Sequence, residues 1–368
     1  MVARKLKSFT LRAVASANIV TVALMLLTGY TDRFNPAEHP YLATSGLLFP
    51  IFMAVNLLFI AFWVVFHLRG ILIPLLGFIA CYQPVRNYSP FNVRHDVPEG
   101  AIKVLSYNVL LYAPWNVGEN EKNPILEYLR NSDADIICLQ EASPHELGYK
   151  KLNAAMDSVY QYCDSAKKET GKETMMIYSR YPILSKERIA YESVGNMSMA
   201  YKIKINGDTV LLINNHLETN NMSVEDKESF SRIVKGELKV NKAEKESKNL
   251  FRKLSEAGQK RAVQADSVAR YIARHKEMSI IVCGDFNDTP ISYAHRTIGK
   301  GLTDCYAESG NGPGFSYNQG KMYVRIDHIF CSKDWQPYGC KVDRKVTASD
   351  HYPIYCWLKK KGKTTKNE

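Results

Sequence analysis

Two long uncharged apolar stretches near the start of the chain constrain it more than any other feature. Residues 13–31 carry no charge, and residues 42–66 (LATSGLLFPIFMAVNLLFIAFWVVF) form a second uncharged run of 25 residues. Roughly 18 such residues already suffice for a helix to cross the hydrocarbon of a bilayer. A cleaved signal sequence competes for the first run because Arg4, Lys5, Lys7 and Arg12 precede it. A second, longer run close behind favours an uncleaved anchor. Residues 42–66 also lack the polar face that a buried soluble helix would show. A third run, residues 70–85, is shorter and contains Pro74 and Pro84, so two or three transmembrane helices are expected, at about 13–31, 42–66 and 70–85.

Lys and Arg near the ends of the spans set their orientation. With three spans, Arg4, Lys5, Lys7, Arg12 and Arg69 lie on one side, and Arg33, Arg86 and Arg94 on the other. The rest of the chain then faces outward, which is the periplasm if the membrane is a bacterial inner membrane. If the third run does not span, the same rule puts it in the cytoplasm.

The chain therefore divides into a membrane anchor (1–99), a soluble domain (100–358) and a basic tail (359–368). Its net charge of +11 divides too. Residues 1–99 hold eight Lys/Arg against four Asp/Glu, the tail holds five Lys against Glu368, and residues 100–358 keep only +3. That is little of the charge on which duplex nucleic-acid binding depends. The eight cysteines show no zinc-type spacing. Cys138, Cys283, Cys331 and Cys356 sit in or beside apolar runs and read as small buried hydrophobes.

From residue 102 onward, short β-type runs end in polar clusters: IKVLSYNV, ADIICLQE, TMMIYSR, DTVLLINNHLE, MSIIVCGDFND, VRIDHIFC and HYPIYCWL. Helical patterns intervene at 124–131 and over a charged stretch at about 224–275. Mixed elements at this length suggest two packed sheets with helices outside. Residues 225–261 alternate charge signs and read as a surface helical insertion, with a substrate- or membrane-facing lid as the alternative.

Asn108, Glu141, His216, Asp285, Asn287, Asp327, Asp350 and His351 all stand at or beside the ends of these runs. Each alone has a bland explanation as a turn former or a solvated polar residue. Together they are a set of hard oxygen donors with isolated histidines. Mg²⁺, or Mn²⁺, takes carboxylate and amide oxygens. Hydrolysis of an anionic phosphate ester needs such a cation, an activated water and a stabilised leaving oxygen.

The ordered motifs SYNV, QE, SRYPI, NHLE, GDFND, RIDHI and SDH resemble the endonuclease/exonuclease/phosphatase superfamily over roughly residues 101–358. The resemblance implies a four-layer α/β sandwich, a fold that periodicity alone does not establish. It also implies that Glu141 is the main Mg²⁺ ligand with Asn108 beside it. His216 would contact the scissile phosphate, Asp285 would polarise the attacking water, and Asn287 would steady it. Asp327 would hold the ring of His351, which donates to the phosphate, and Asp350 would sit at the metal or orient its neighbours. Whether Asp285 or the Asp327–His351 pair is the base stays open. Two positions depart from the pattern: His328 stands where Tyr is common, and Glu218 where lipid-cleaving members often have Gln. Arg180 reads as structural.

The expected activity is thus a membrane-anchored, Mg²⁺-dependent hydrolysis of phosphate esters, with lipid-linked or small substrates favoured over nucleic acid. The alternatives are a nuclease of the same fold acting on DNA and a non-catalytic membrane-bound binding module. The bilayer is the partner of the N-terminal helices, and no protein partner is inferable.

Overall fold

The computed structural model describes residues 2–117, 122–144, 147–168, 174–319 and 321–362. Most of the basic tail (363–368) lies outside the described residues.

The first apolar run is a single helix, α1 (Val2–Gly29), which begins well before residue 13. Hydropathy marks where hydrocarbon can begin, whereas a helix extends through any residues that tolerate it. The second run is broken. A short helix α2 (Pro40–Thr44) and a 3-10 turn precede α3 (Phe49–Phe66). The turn brings Gly46 so close to α1's end that a Cβ there would stand 2.3 Å from Thr31 Oγ1. The third run forms α4 (Leu72–Ala80) and α5 (Tyr82–Tyr88), bent by 70° at Cys81. Two segments, Leu6–Arg33 and Pro40–Phe66, are long and apolar enough to cross a membrane, and the bent pair makes up to three. Leu58 and Val65 on α3 are 70% and 74% exposed, so this face of the helix is apolar and uncovered. Inside the bundle, Trp63 Nε1 donates to Asn18 Oδ1 at 2.9 Å and Asn18 Nδ2 to Asn56 Oδ1 at 2.9 Å, tying α1 to α3.

The remainder is a four-layer α/β sandwich. In chain order its first elements are β1 (Ile102–Asn108), α6 (Pro124–Asn131), β2 (Ile136–Gln140), α7 (Tyr149–Met156), β3 (Tyr162–Lys167) and β4 (Thr174–Ser179). Next come β5 (Ile183–Ile189), β6 (Met197–Ile205), β7 (Asp208–His216), α8 (Val224–Val234), α9 (Val240–Arg274) and β8 (Ser279–Asp285). The last are α10 (Tyr293–Ile298), β9 (Thr303–Asp304), α11 (Cys305–Ser309), β10 (Asp327–Cys331), β11 (Trp335–Val342) and β12 (Ile354–Lys360). One sheet runs β11-β12-β1-β2-β4-β3 and the other β5-β6-β7-β8-β10-β9. Their inner faces share a core that includes Val104, Ile136, Ile177, Leu212, Ile281 and Ile329. α6 and α7 cover the outside of the first sheet, and α9 and α10 the outside of the second.

The charged stretch is more than a solvated insertion. The second half of α9 buries Ala265, Val268 and Ile272 in the outer core. Its first half meets the N-terminal helices: Phe251 stacks on Tyr41, and Ser255 Oγ lies 2.9 Å from Thr44 Oγ1. The residues between α1 and α3 and the end of α5 therefore both pack on the sandwich. Cys138, Cys283, Cys331 and Cys356 are free and buried as expected.

Candidate active site

Strand polarity explains why residues far apart in sequence meet. β1 and β2 are parallel in one sheet and β7 and β8 in the other, so Asn108, Glu141, His216 and Asp285 all lie at carboxyl ends. β10 is antiparallel to β8, which sets Asp327 opposite Asp285. β12 is antiparallel to β1, so Asp350 and His351, just before it, arrive at the same edge. Beneath the site the sheets are joined by buried amides: Gln140 Nε2 donates to Asn214 Oδ1 at 2.6 Å and Asn214 Nδ2 to Leu139 O at 3.2 Å.

Asn108 Nδ2 donates to Glu141 Oε1 at 3.0 Å and to Asp285 Oδ2 at 3.1 Å. His216 Nε2 lies 3.8 Å from each of the same two oxygens. His351 Nδ1 meets Asp327 Oδ2 at 2.9 Å, and its Nε2 stands 3.6 Å from Asp285 Oδ2. Asp285 Oδ1 accepts the N–H of Asn287 at 2.8 Å, while the Asn287 side chain donates to Leu217 O at 3.1 Å. Asp350 lines the same cavity. All eight residues singled out in the sequence are thus brought together.

The backbone is unusual here. Leu110 to Ala113 have φ of 45°, 56°, 62° and 41°, and Glu141 and Asn287 have φ of 50° and 52°. Left-handed conformations cost roughly 1–2 kcal/mol per non-glycine residue, and such strain concentrates at functional sites. The Leu111 N–H donates to Glu141 O at 2.9 Å, which couples this turn to the carboxylate. At Gly284 a Cβ would stand 2.0 Å from Asn215 O, so only glycine allows β7 and β8 to approach this closely beside Asp285.

Burial pushes Asp285 above the usual carboxylate range, against the opposing pull of His351 and His216. Burial alone would keep His351 neutral, but Asp327 and Asp285 outweigh it and hold the imidazolium well above its ordinary range. Four carboxylates thus share the cleft with two histidines, an excess of negative charge that a divalent cation would balance. Glu141 and Asp350 offer the hard oxygens such an ion prefers, whereas the Asn108 amide oxygen accepts the Leu110 N–H at 3.1 Å and its nitrogen faces Glu141. Ligand atoms of Asp285, Asp327 and His351 also fall within 4.8 Å of one another. His351 Nδ1 is committed to Asp327 and its Nε2 faces Asp285, so that trio suits proton handling and phosphate contact better than ligation.

Other residues fall elsewhere. His328 points to the outer face, where its ring packs 5.1 Å from that of Phe286 and its Nε2 lies 2.9 Å from Asp288 O. Glu218 turns to α9, paired with Lys260 at 3.1 Å. Arg180 joins Asp133 and Asp135 at the opposite end of the sheet, the structural place expected of it. Sequence reasoning did not single out Tyr317, whose ring sits 5.2 Å from that of His351, with Lys227 Nζ 5.5 Å from the centre of the Tyr317 ring. It also missed the cavity's far wall. The cavity, about 520 Å³, runs from Asn108, Glu141, Asp285 and His351 past Phe230, Leu250 and Leu254 to Ala43, Leu47 and Pro50 of the anchor.

The sequence model of the Endonuclease/Exonuclease/phosphatase family matches residues 105–351, and that of a domain of unknown function matches residues 11–88. No curated protein matches the chain. Among solved structures, a humanised D. rerio TDP2 aligns with TM-score 0.50 at 16% identity over 70% of this chain and 99% of its own. The human nocturnin catalytic domain, with bound sulfate anion, aligns with TM-score 0.51 at 16% identity over 73% of this chain and 96% of its own. At such identity these likenesses establish the fold alone.

Proposed function

This chain belongs to the endonuclease/exonuclease/phosphatase family and is a metal-dependent phosphoric ester hydrolase; from that footing we propose that it is anchored in a membrane, uses Mg²⁺ and hydrolyses lipid-linked or small phosphate esters. The observation that carries the substrate class is the cavity shared between the catalytic residues and the anchor. An ester phosphate seated at Asp285 and His351 leaves its remaining part beside Leu47, Leu250 and Leu254. Apolar lining of that kind matches a hydrocarbon chain, while Lys227, Arg261 and Lys321 also line the cavity and bring positive charge to the phosphate.

In this reading Glu141 and Asp350 would hold the ion with Asn108 oriented beside them, and the ion would withdraw charge from the phosphate. Asp285, raised by burial, accepts the proton of the attacking water, and Asn287 keeps that water in place. His351 donates from Nε2 to the phosphate, its ring fixed by Asp327 at Nδ1. His216 supports the developing charge from the other side.

The contacts also favour three spans. The 30–49 segment and the end of α5 both pack on the sandwich, so they share one side of the bilayer. The basic N-terminus and Arg69 then fall on the other, which by the positive-inside rule is cytoplasmic and leaves the catalytic domain outside.

The test uses the full chain in lipid nanodiscs with Mg²⁺, assayed against phospholipid and sphingolipid esters, soluble phosphodiesters, and plasmid and abasic DNA. Turnover of lipid or small esters is expected. Efficient, salt-sensitive DNA cleavage without lipid turnover would replace this reading with the nuclease one. Alkaline phosphatase fused at Pro98 is expected to be active, and a silent fusion there would reverse the topology.

A further inference from the structure

Arg325 is 2% exposed, and no carboxylate neutralises it by direct contact among the described residues. Its guanidinium instead donates to backbone carbonyls. Nη1 reaches Pro313 O at 2.5 Å and Tyr88 O at 3.3 Å, and Nη2 reaches Asn87 O. The guanidinium carbon lies 4.1 Å over the ring of Tyr306. Burial works against its charge, while Asp304 supports it from a distance. Asn87 and Tyr88 end α5, where unpaired carbonyls carry the negative pole of the helix. A buried cation is expensive, and well-packed apolar residues often stabilise as much. Holding two bodies together does not by itself call for an arginine.

Its position supplies a reason. Arg325 stands two residues before Asp327, and in extended chain such residues point to one face. Hydrogen bonds tie the chain after α5 to the segment that leads to Asp327 at several points. Asn92 donates to Asn311 Oδ1 at 2.7 Å and to Gly310 O at 2.7 Å, and Gly312 N–H donates to Pro90 O at 2.8 Å. Ser316 Oγ then accepts the N–H groups of Ile326 at 3.0 Å and Asp327 at 3.1 Å. Ser316 O in turn accepts the N–H of Tyr352, next to His351, at 2.6 Å. Arg325 closes this set across its middle by holding Pro313 and the end of α5 to the strand.

We infer that Arg325 is a positioning residue: it uses the carbonyls at the end of the membrane anchor as a fixed reference from which Asp327, and through it the ring of His351, is set. This rests on the assignment of Asp327 and His351 to the reaction. The anchor is then part of the catalytic framework as well as a tether. Surface contacts across the same interface, such as Arg86 with Glu308 at 3.1 Å, join the two bodies without reaching Asp327.

The experiment compares the full chain in nanodiscs as wild type, Arg325→Met, Arg325→Lys and Arg86→Gln. Two readouts are taken: kcat and KM on bis(p-nitrophenyl) phosphate with Mg²⁺, and amide hydrogen exchange over residues 323–331. In Arg325→Met, kcat is expected to fall about 10- to 100-fold with KM within about twofold, as misplacement on the order of an ångström would produce. Exchange at Ile326 and Asp327 should rise. Arg325→Lys, which keeps the charge with a compact head, should recover part of both, and Arg86→Gln should match wild type. If Arg325→Met does not fold, Arg325→Lys carries the comparison alone, with a smaller loss in kcat and faster exchange expected. Wild-type kcat in the altered protein overturns the inference, as does a loss shared equally by Arg86→Gln. If wild type itself turns over no ester, the assignment of the reaction fails separately. Exchange at Ile326 and Asp327 then decides the positioning, and an unchanged rate overturns it.

Discussion

Replacing Asp285 by Asn should move activity and stability in opposite directions. The carboxylate is 1% exposed, and burial raises its pKa above the ordinary value despite His351, His216 and Asn108 nearby. Asparagine keeps the shape and can still accept the Asn287 N–H now held at 2.8 Å. Its amide cannot take a proton from water, and it turns a donor toward Asn108 Nδ2, now 3.1 Å away. Loss of a positioned base lowers kcat by roughly 10²- to 10⁴-fold. A carboxyl whose folded pKa lies above its unfolded value stabilises most below the unfolded value, and that contribution disappears as pH rises through the folded one. The amide has no such loss. In EDTA the variant, which carries that donor pair with Asn108 at every pH, should therefore compare worst with wild type near pH 4 and gain on it toward pH 8. Steady-state turnover of a chromogenic phosphodiester and thermal unfolding across that pH range provide the measurements. A variant that keeps a tenth or more of wild-type kcat refutes the role. So does a thermal midpoint that drops at pH 8 in step with the lost activity.

Chelation should abolish turnover and Mg²⁺ or Mn²⁺ restore it; full activity in excess EDTA with no residual metal by elemental analysis would contradict the hard-donor reading. Arg180→Ala should leave kcat unchanged and cost under about 1 kcal/mol in unfolding measurements, because its ion pairs are partly exposed, with the guanidinium side chain at 38%. Burial, helped by His295 and Arg325, holds His328 well below the usual histidine range, so only the unfolded chain takes up a proton near pH 6.5. Stability should thus fall on acidification below that point, by about 1 kcal/mol per pH unit for one such group. His328→Tyr should flatten that decline between pH 7 and pH 5 in thermal unfolding.

The strands legible in the sequence are mostly those walled in on both faces. β2, β4, β8 and β10 are buried nearly throughout and read as continuous apolar runs. The missed strands β3, β5, β9 and β11 are the four sheet edges. β5 reads ILSKERI with five successive exposed residues, the charged composition that blunts a free edge. β6 was also missed, though interior: it alternates Met197, Met199, Tyr201, Ile203 and Ile205 in the core with Ser198, Ala200, Lys202 and Lys204 on the other face, so it is not a continuous apolar run. The site residues were visible as polar stops after apolar runs, but their convergence depends on register, which no local pattern encodes. The left-handed turn at Leu110 to Ala113 had no sequence signal, since none of its four residues is Gly or Asn. The anchor's share of the cavity was hidden for a similar reason: Leu47 and Pro50 look like membrane residues wherever they point.

The pairing of β1 with β12 has a consequence for biosynthesis. Ile102 sits opposite Leu358, so the sheet that carries Asn108 and Glu141 stays open on one side until nearly the whole chain has been made. About 250 residues separate the two strands, which at 5–20 residues per second is roughly 10–50 s of translation. During that interval β1 can already pair with β2, yet its other edge is bare and able to recruit a strand from another nascent chain. The apolar helices emerge first and can be inserted before that edge exists. Chains held singly in a bilayer, as proposed for this protein, would meet one another less often than chains released into solution, and early insertion would protect the unfinished sheet. A ribosome stalled shortly before Ile354 would leave a protein with nearly every catalytic side chain and no means of closing the sheet around them.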